Sequence, residues 1–201
     1  MRPDLEVVAG LIQPGSRVLD LGCGDGLLLA TLSSRMGCSG TGIENDPSAL
    51  VAAIRRGVSV MGLDIDVVGP AGLDEFDDAS YDVVIVSQTL QATRNPARIL
   101  DQVKRIAGRG VVSVPNFGLW KHRAALGLRG RMPVSSELPH PWFETPNIHL
   151  STLADMEELI ADRGLGVEQR ILLDSSGRAA IGLRSRGPAN LLASGAVYLV
   201  T

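Results

Sequence analysis

Apolar residues fall along this chain in two alternating patterns. Short blocks, "RVLDL" (residues 17–21), "SGTGIE" (39–44), "VSVMGLD" (58–64), "YDVVIVSQTL" (81–90) and "GVVSVP" (110–115), predict five strands, the fourth most strongly through its run from Val83 to Val86. Between them, spacing by three and four predicts helices. "DLEVVAGLI" carries Leu5, Val8 and Ile12, "LLLATLSSRM" follows the first strand, and "SALVAAIRR" starts behind Pro47, a residue suited to a first helical turn. "NPARILDQVKRIA" has Asn95 as its cap, and "LADMEELIADRG" is opened by Ser151 or Thr152 and closed by Gly164. Toward the end, "VEQRILLD", "SSG" and "RAAIGLR" (167–184) predict an antiparallel hairpin, and "GPANLLASGAVYLVT" (187–201) reads as an extension.

Strand–helix alternation implies a three-layer, doubly wound α/β fold. The expectation is a seven-stranded, mostly parallel sheet ending in the antiparallel hairpin. Residues 1–186 form a single domain in this reading, with 115–150 as an insertion or cap between the fifth strand and the last helix, and 187–201 outside it.

Composition narrows the setting. The 201 residues are 45% apolar and 20% charged, ordinary values for one globular domain. A net charge of −3 and the lack of a basic stripe argue against nucleic acid. Cys23 and Cys38 are too few for a disulfide framework, no apolar run reaches spanning length, and "MRPDLEVVAG" lacks the form of a signal peptide. A cytoplasmic protein without membrane attachment is expected.

Candidate chemistry begins at "LDLGCGDG" (residues 19–26). Gly22, Gly24 and Gly26 let backbone turn sharply and approach a ligand. Leu27 stands where a nicotinamide loop needs its third glycine, and no Gly-Lys-Ser/Thr end makes a phosphate loop. Asp20 and Asp25 flank the turn with no Lys or Arg near in sequence, an unsuitable cradle for pyrophosphate but a suitable one for an ammonium group. Glu44 closes the second strand about 20 residues on, where an acid can accept both ribose hydroxyls. Asp64 closes the third, placed to accept from the exocyclic amine of a base. Alone, the glycines could be a tight turn and Asp64 a loop acid or cap; amine, ribose and base together describe S-adenosyl-L-methionine or S-adenosyl-L-homocysteine.

"VLDLGCGDG", "GTGIEND" and "YDVVIVSQTLQ" resemble the class I methyltransferase (Rossmann-like) fold and its cofactor motifs. "SQTLQATRNP", "VPNFGLW", "GRMPV" and "TPNIHLST" are similar to the MetW family of methionine biosynthesis proteins, over about Asp4 to Leu173. The start is shorter than the family pattern, and the tail after Arg186 matches none. The resemblance implies a cofactor site of Asp20, Gly22, Cys23, Gly24, Gly26, Glu44, Asn45, Asp64, Ile65, Ser87 and Gln88. It also implies a partner, the homoserine O-acyltransferase MetX, and an accessory or regulatory role in L-methionine biosynthesis. The alternative is a methyltransferase acting on a small molecule.

Residues 115–150 hold all three histidines (His122, His140, His149) and four of the seven aromatics (Phe117, Trp120, Trp142, Phe143). Five prolines predict an ordered irregular loop rather than one helix. His140 beside Glu144 could serve as a general base, while the bland reading has His149 bonding backbone and the tryptophans filling a satellite core. No metal-ligand spacing, nucleophile motif or acceptor-nitrogen signature after the fourth strand appears, so no catalytic residue is assigned. What remains is an aromatic, arginine-rich composition typical of protein interfaces, with Trp120, Arg129, Arg131 and Trp142 as expected anchors; a homo-oligomer stays open.

Overall fold

A computed structural model of the chain describes residues 2–69, 71–135, 138–180 and 186–201. The strands are β1 (Arg17–Leu21), β2 (Ser39–Ile43), β3 (Ser59–Met61), β4 (Val83–Ser87), β5 (Gly110–Pro115), β6 (Val167–Leu173) and β7 (Gly195–Val200). They join in one sheet of order β3-β2-β1-β4-β5-β7-β6. β1 to β5 pair in parallel, and β7 runs antiparallel to both β5 and β6. The seven-stranded doubly wound sheet is therefore the one expected, and its hairpin is antiparallel.

The strand that completes the hairpin is not the expected one. β6 pairs along its length with β7, from Leu173↔Gly195 to Val167↔Val200, whereas "RAAIGLR" gives one isolated bridge, Leu173↔Ala179. Residues 181–185 of that stretch lie outside the described residues. The physical reason is burial: all six residues of β7 are buried between two neighbours. A continuous apolar run, "AVYLV", suits that central position better than a stretch carrying Arg178 and Arg184. The stretch 187–201, expected to lie outside the domain, thus supplies most of the short helix α7 (Arg186–Leu192) and then the strand β7 inside the sheet.

Helices α1 (Pro3–Ala9), α2 (Leu27–Met36), α3 (Pro47–Arg55), α4 (Pro96–Ile106), α5 (Trp120–Arg129) and α6 (Leu153–Asp162) complete the layers. Alternation along β4 feeds two cores. Val83 and Ile85 pack with Val8 of α1 and Leu28, Leu29 and Leu32 of α2, while Val84 and Val86 pack with Ile99 and Val103 of α4 and Met156 and Ile160 of α6. The caps follow local chemistry. Asp46 accepts from Ala49 N–H ahead of Pro47, and Asn95 accepts from Arg98 N–H ahead of Pro96. Thr152, not Ser151, opens α6 in a reciprocal capping box with Asp155.

Within 115–150, α5 departs from the expected irregular loop, while the described residues of 130–150 hold neither helix nor strand, as expected. The prolines of the segment all fall outside "WKHRAALGLR", which leaves ten residues free to form a helix that ends at Gly130 in the left-handed region.

Candidate functional site

The chain runs from β1 outward through β2 and β3, then returns to β4 and continues through β5 on the other side. β1 and β4 are neighbours at this reversal, and a crevice opens beyond their carboxyl ends. The glycine loop forms its floor. Gly22 and Cys23 donate their N–H groups to the Ile43 carbonyl at 2.8 and 3.0 Å, tying the loop to the end of β2. Gly22, Gly24 and Gly26 all lie in the left-handed region, with φ of 76°, 57° and 73°. Their reasons differ. A side chain at Gly22 would collide with Thr89, and one at Gly26 would press on Val58 and Ala53, whereas a Cβ at Gly24 would meet nothing within 4 Å. Two glycines serve the fold; the third faces open space.

That space is a cavity of about 430 Å³, within the range of small-molecule sites. Asp20, Gly22, Cys23, Gly24, Ser87 and Gln88, six of the expected residues, are among its walls. Asp20 is 2% exposed and no hydrogen bond to its carboxylate is present among the described residues. Burial and the nearby Glu44 carboxylate push its pKa up to about 7, against the pull of Arg2. Ser87 Oγ is buried with no hydrogen-bond partner among the described residues. Gln88 holds a left-handed conformation, φ 57°, rare for a residue with a side chain. Such strain collects at ligand sites.

Other expected residues sit differently. Cys23 contributes backbone: its thiol occupies the space a Gly42 side chain would need, and burial together with Asp20 and Glu44 pushes its pKa up to about 12. Glu44 reaches the loop, but its carboxylate is already engaged. Oε1 accepts from the Asn45 and Asp46 N–H groups, both at 2.9 Å, and Oε2 accepts from Gly24 N–H at 2.8 Å. One acceptor position remains, on Oε2, rather than two for a pair of hydroxyls. Asn45 is exposed and serves Glu44 through its backbone. Asp64 and Ile65 lie beyond β3, which ends at Met61, and neither lines the cavity. Asp64 accepts from Asp66 N–H, while Asp66 accepts from Arg94 N–H and so fastens this loop beside β4's exit. The loop is also less acidic than its sequence. Arg56 pairs with Asp25, and Arg2 stands in the cavity wall near Asp20.

Arg2, Leu5 and Thr89 also line the cavity, and sequence reasoning did not place them there. The first two come from the α1 end, which no spacing rule joins to the loop. A second cavity, about 270 Å³, shares Arg2 and Gln88 with the first and runs to Asp174, Ser176 and Ser194. Neither wall includes a histidine. His122 is buried, with Nε2 3.0 Å from Ser135 Oγ, and His149 donates its backbone N–H to Gln91. His140 and Glu144 are both exposed, with no hydrogen bond or ion pair joining them among the described residues. Trp120 and Trp142 do not fill a satellite core; both are exposed, as are Arg129 and Arg131. No group of three or more His, Cys, Asp or Glu among the described residues could hold a metal ion, and no helix there is long and apolar enough to cross a membrane.

The strand order, with β7 antiparallel between β5 and β6, defines the class I S-adenosylmethionine-dependent methyltransferase fold. Solved structures agree in fold. An S-adenosylmethionine-dependent methyltransferase from Mesorhizobium loti matches with a TM-score of 0.68 at 16% identity, over 98% of this chain and 95% of that one. A chain of the complex between the Haloferax volcanii Trm112 methyltransferase activator and a methyltransferase matches at 0.65 and 17%, over 100% and 89%. Within this class, the chain belongs to the MetW family: the family model, described as methionine biosynthesis protein MetW, matches residues 2–200. The tail after Arg186, expected to lie outside the family pattern, therefore falls inside the family's span. A bifunctional methionine biosynthesis protein MetXA/MetW from Rhodopirellula baltica is 32% identical over 180 residues, covering 85% of this chain and 28% of that protein. A ubiquinone biosynthesis O-methyltransferase from Burkholderia thailandensis is 33% identical over 88 residues, 43% of this chain and 38% of that protein. The chain spans less than half the length of each of these two curated relatives.

Proposed function

We propose that the chain binds S-adenosylmethionine or S-adenosylhomocysteine in the larger cavity and acts as an accessory, regulatory partner of homoserine O-acyltransferase in methionine biosynthesis. The observation that carries the reading is the Rhodopirellula relative, whose name joins MetXA and MetW in one protein. The cavity suits the cofactor's chemistry. Asp20 would take the ammonium group, a cation that relieves the cost of burying its carboxylate. The free position on Glu44 Oε2 would accept from one ribose hydroxyl, and Ser87 Oγ offers an unpartnered polar group. Gly24 leaves room for close approach. Asn45, Asp64 and Ile65 would bear on the ribose and base only from outside the present walls. S-adenosylmethionine lies downstream of methionine, so a cavity that holds it can report pathway output to the acyltransferase.

Titration calorimetry with S-adenosylmethionine, followed by acyltransferase assays with and without this chain, tests the reading. Cofactor binding, and acyltransferase activity that changes on adding the chain, are expected; an acyltransferase indifferent to the chain in both cofactor states sinks it. One observation favours methyl transfer to a small molecule instead. The second cavity adjoins the first through Arg2 and Gln88, where an acceptor could meet a methyl donor. Turnover of S-adenosylmethionine with a metabolite extract would establish that alternative.

A further inference from the structure

The stretch from α5 to α6 presents to solvent what proteins ordinarily bury. Leu128 is 87% exposed, Trp142 71%, Phe143 66% and Trp120 50%. Scattered apolar residues on a surface need no explanation, but large ones gathered in one contiguous patch mark an interaction site. The rings of Trp142 and Phe143 pack edge to face at 5.7 Å, holding each other rather than a core. Trp142 forms part of the wall of a groove of about 320 Å³, with Phe117, the exposed Met132, Ile148 and Leu150, and the buried Leu138. Exposed cations, Lys121, Arg123, Arg129 and Arg131, lie in the same segment.

This face is built rather than draped. Gln91 O accepts both the Ile148 and His149 N–H groups at 2.9 and 3.0 Å, and Phe117 N–H reaches Ser151 O at 3.0 Å. Arg123 Nε donates to Gly118 O at 2.6 Å, and Ser135 N–H to Leu138 O at 3.0 Å. A surface ordered in advance loses less freedom on association.

We infer that this face is where the homoserine O-acyltransferase docks, meeting it with an apolar patch rimmed by Asp and Glu. The inference rests on the functional reading above and adds its location and chemistry. Tryptophan and arginine are the residues that anchor protein interfaces, and four cations call for acids opposite. A second copy is the poorer fit, since a two-fold contact would bring together two segments in which exposed cations outnumber the exposed acid Glu144.

The experiment measures affinity of the purified chain for the acyltransferase of the same organism, by surface plasmon resonance, for wild type, Trp142→Ala and Arg129→Glu. Cofactor affinity by calorimetry and the melting temperature are measured on each. Both side chains are exposed, so fold and cofactor binding should persist; should one variant melt early, the other decides. Each is expected to weaken acyltransferase binding about 30-fold or more, the scale of an interface hot spot, with cofactor affinity unchanged. Folded variants that bind the acyltransferase like wild type overturn the inference while leaving the functional reading intact. Wild type that fails to bind overturns both. Loss of self-association with acyltransferase binding preserved assigns the face to a second copy and likewise overturns it.

Discussion

Asp20 sits at the end of β1 with a carboxyl that titrates near pH 7 instead of below 4. Its folded pKa is raised, so its contribution to stability is complete in acid and is lost as pH rises from the ordinary carboxylate range through about 7. The free protein should therefore gain from Asp20→Asn at pH 8 and gain nothing near pH 4, which melting curves at the two pH values will show. An ammonium-bearing ligand favours the ionised form. S-adenosylmethionine binding near pH 6.5 should release a proton, visible as a dependence of binding enthalpy on buffer ionisation that Asp20→Asn abolishes. The glycines provide a second check at this scale. Gly22→Ala drives a Cβ into Thr89 and should destabilise the fold, while the Cβ of Gly24→Val meets nothing within 4 Å and the change should cost chiefly the left-handed backbone preference, at least about 1–2 kcal/mol for a β-branched residue. Cofactor affinity should collapse in folded Gly24→Val; if it does not, the loop is only a turn. These residues were legible because glycine and acid spacing in a βα turn reflects local chemistry. Arg2 and Arg56 were not, because their approach to Asp20 and Asp25 is tertiary.

Elements were legible where their own side chains carry the periodic signal or the cap. β4 shows its buried run, α3 and α4 show Asp46-Pro47 and Asn95-Pro96, and α6 its Thr152–Asp155 box. Partner choice between strands has no such local mark, so the sequence alone pairs β6 with the nearest apolar run, whereas its partner is β7. Asn116 shows how the structure settles such a choice. Fully buried after β5, its Nδ2 donates to Asn190 O and Ala193 O at 2.9 and 2.8 Å, and its Oδ1 accepts from Gly118 N–H at 2.9 Å. Asn190 Oδ1 in turn accepts from Leu153 N–H at the start of α6. One amide thus fixes the approach to β7 against β5. Asn116→Ala strands buried backbone groups and should cost at least about 2 kcal/mol, measurable by urea denaturation. A smaller loss would mean that α7 rearranges to recover these bonds.

At the scale of the whole molecule, the sheet is closed by a strand that sequence order brings late. β7 joins β5 on one side and β6 on the other, with all six residues buried. A chain ended after residue 194 should lose its cooperative melting transition and expose apolar surface to a hydrophobic dye; a truncated chain that melts sharply would show that β6 can dock on β5 directly. The order of synthesis gives this arrangement a temporal side. β5 and β6 emerge from the ribosome before the segment that separates them, and at about 5–20 residues per second β5 waits several seconds for its neighbour. During that interval the nascent chain offers unpaired strand edges to other chains, a hazard that compact folds otherwise manage in space. For this protein the vulnerable moment is set by translation speed, and slowing the ribosome through residues 116–194 should lower soluble yield without altering a single native contact.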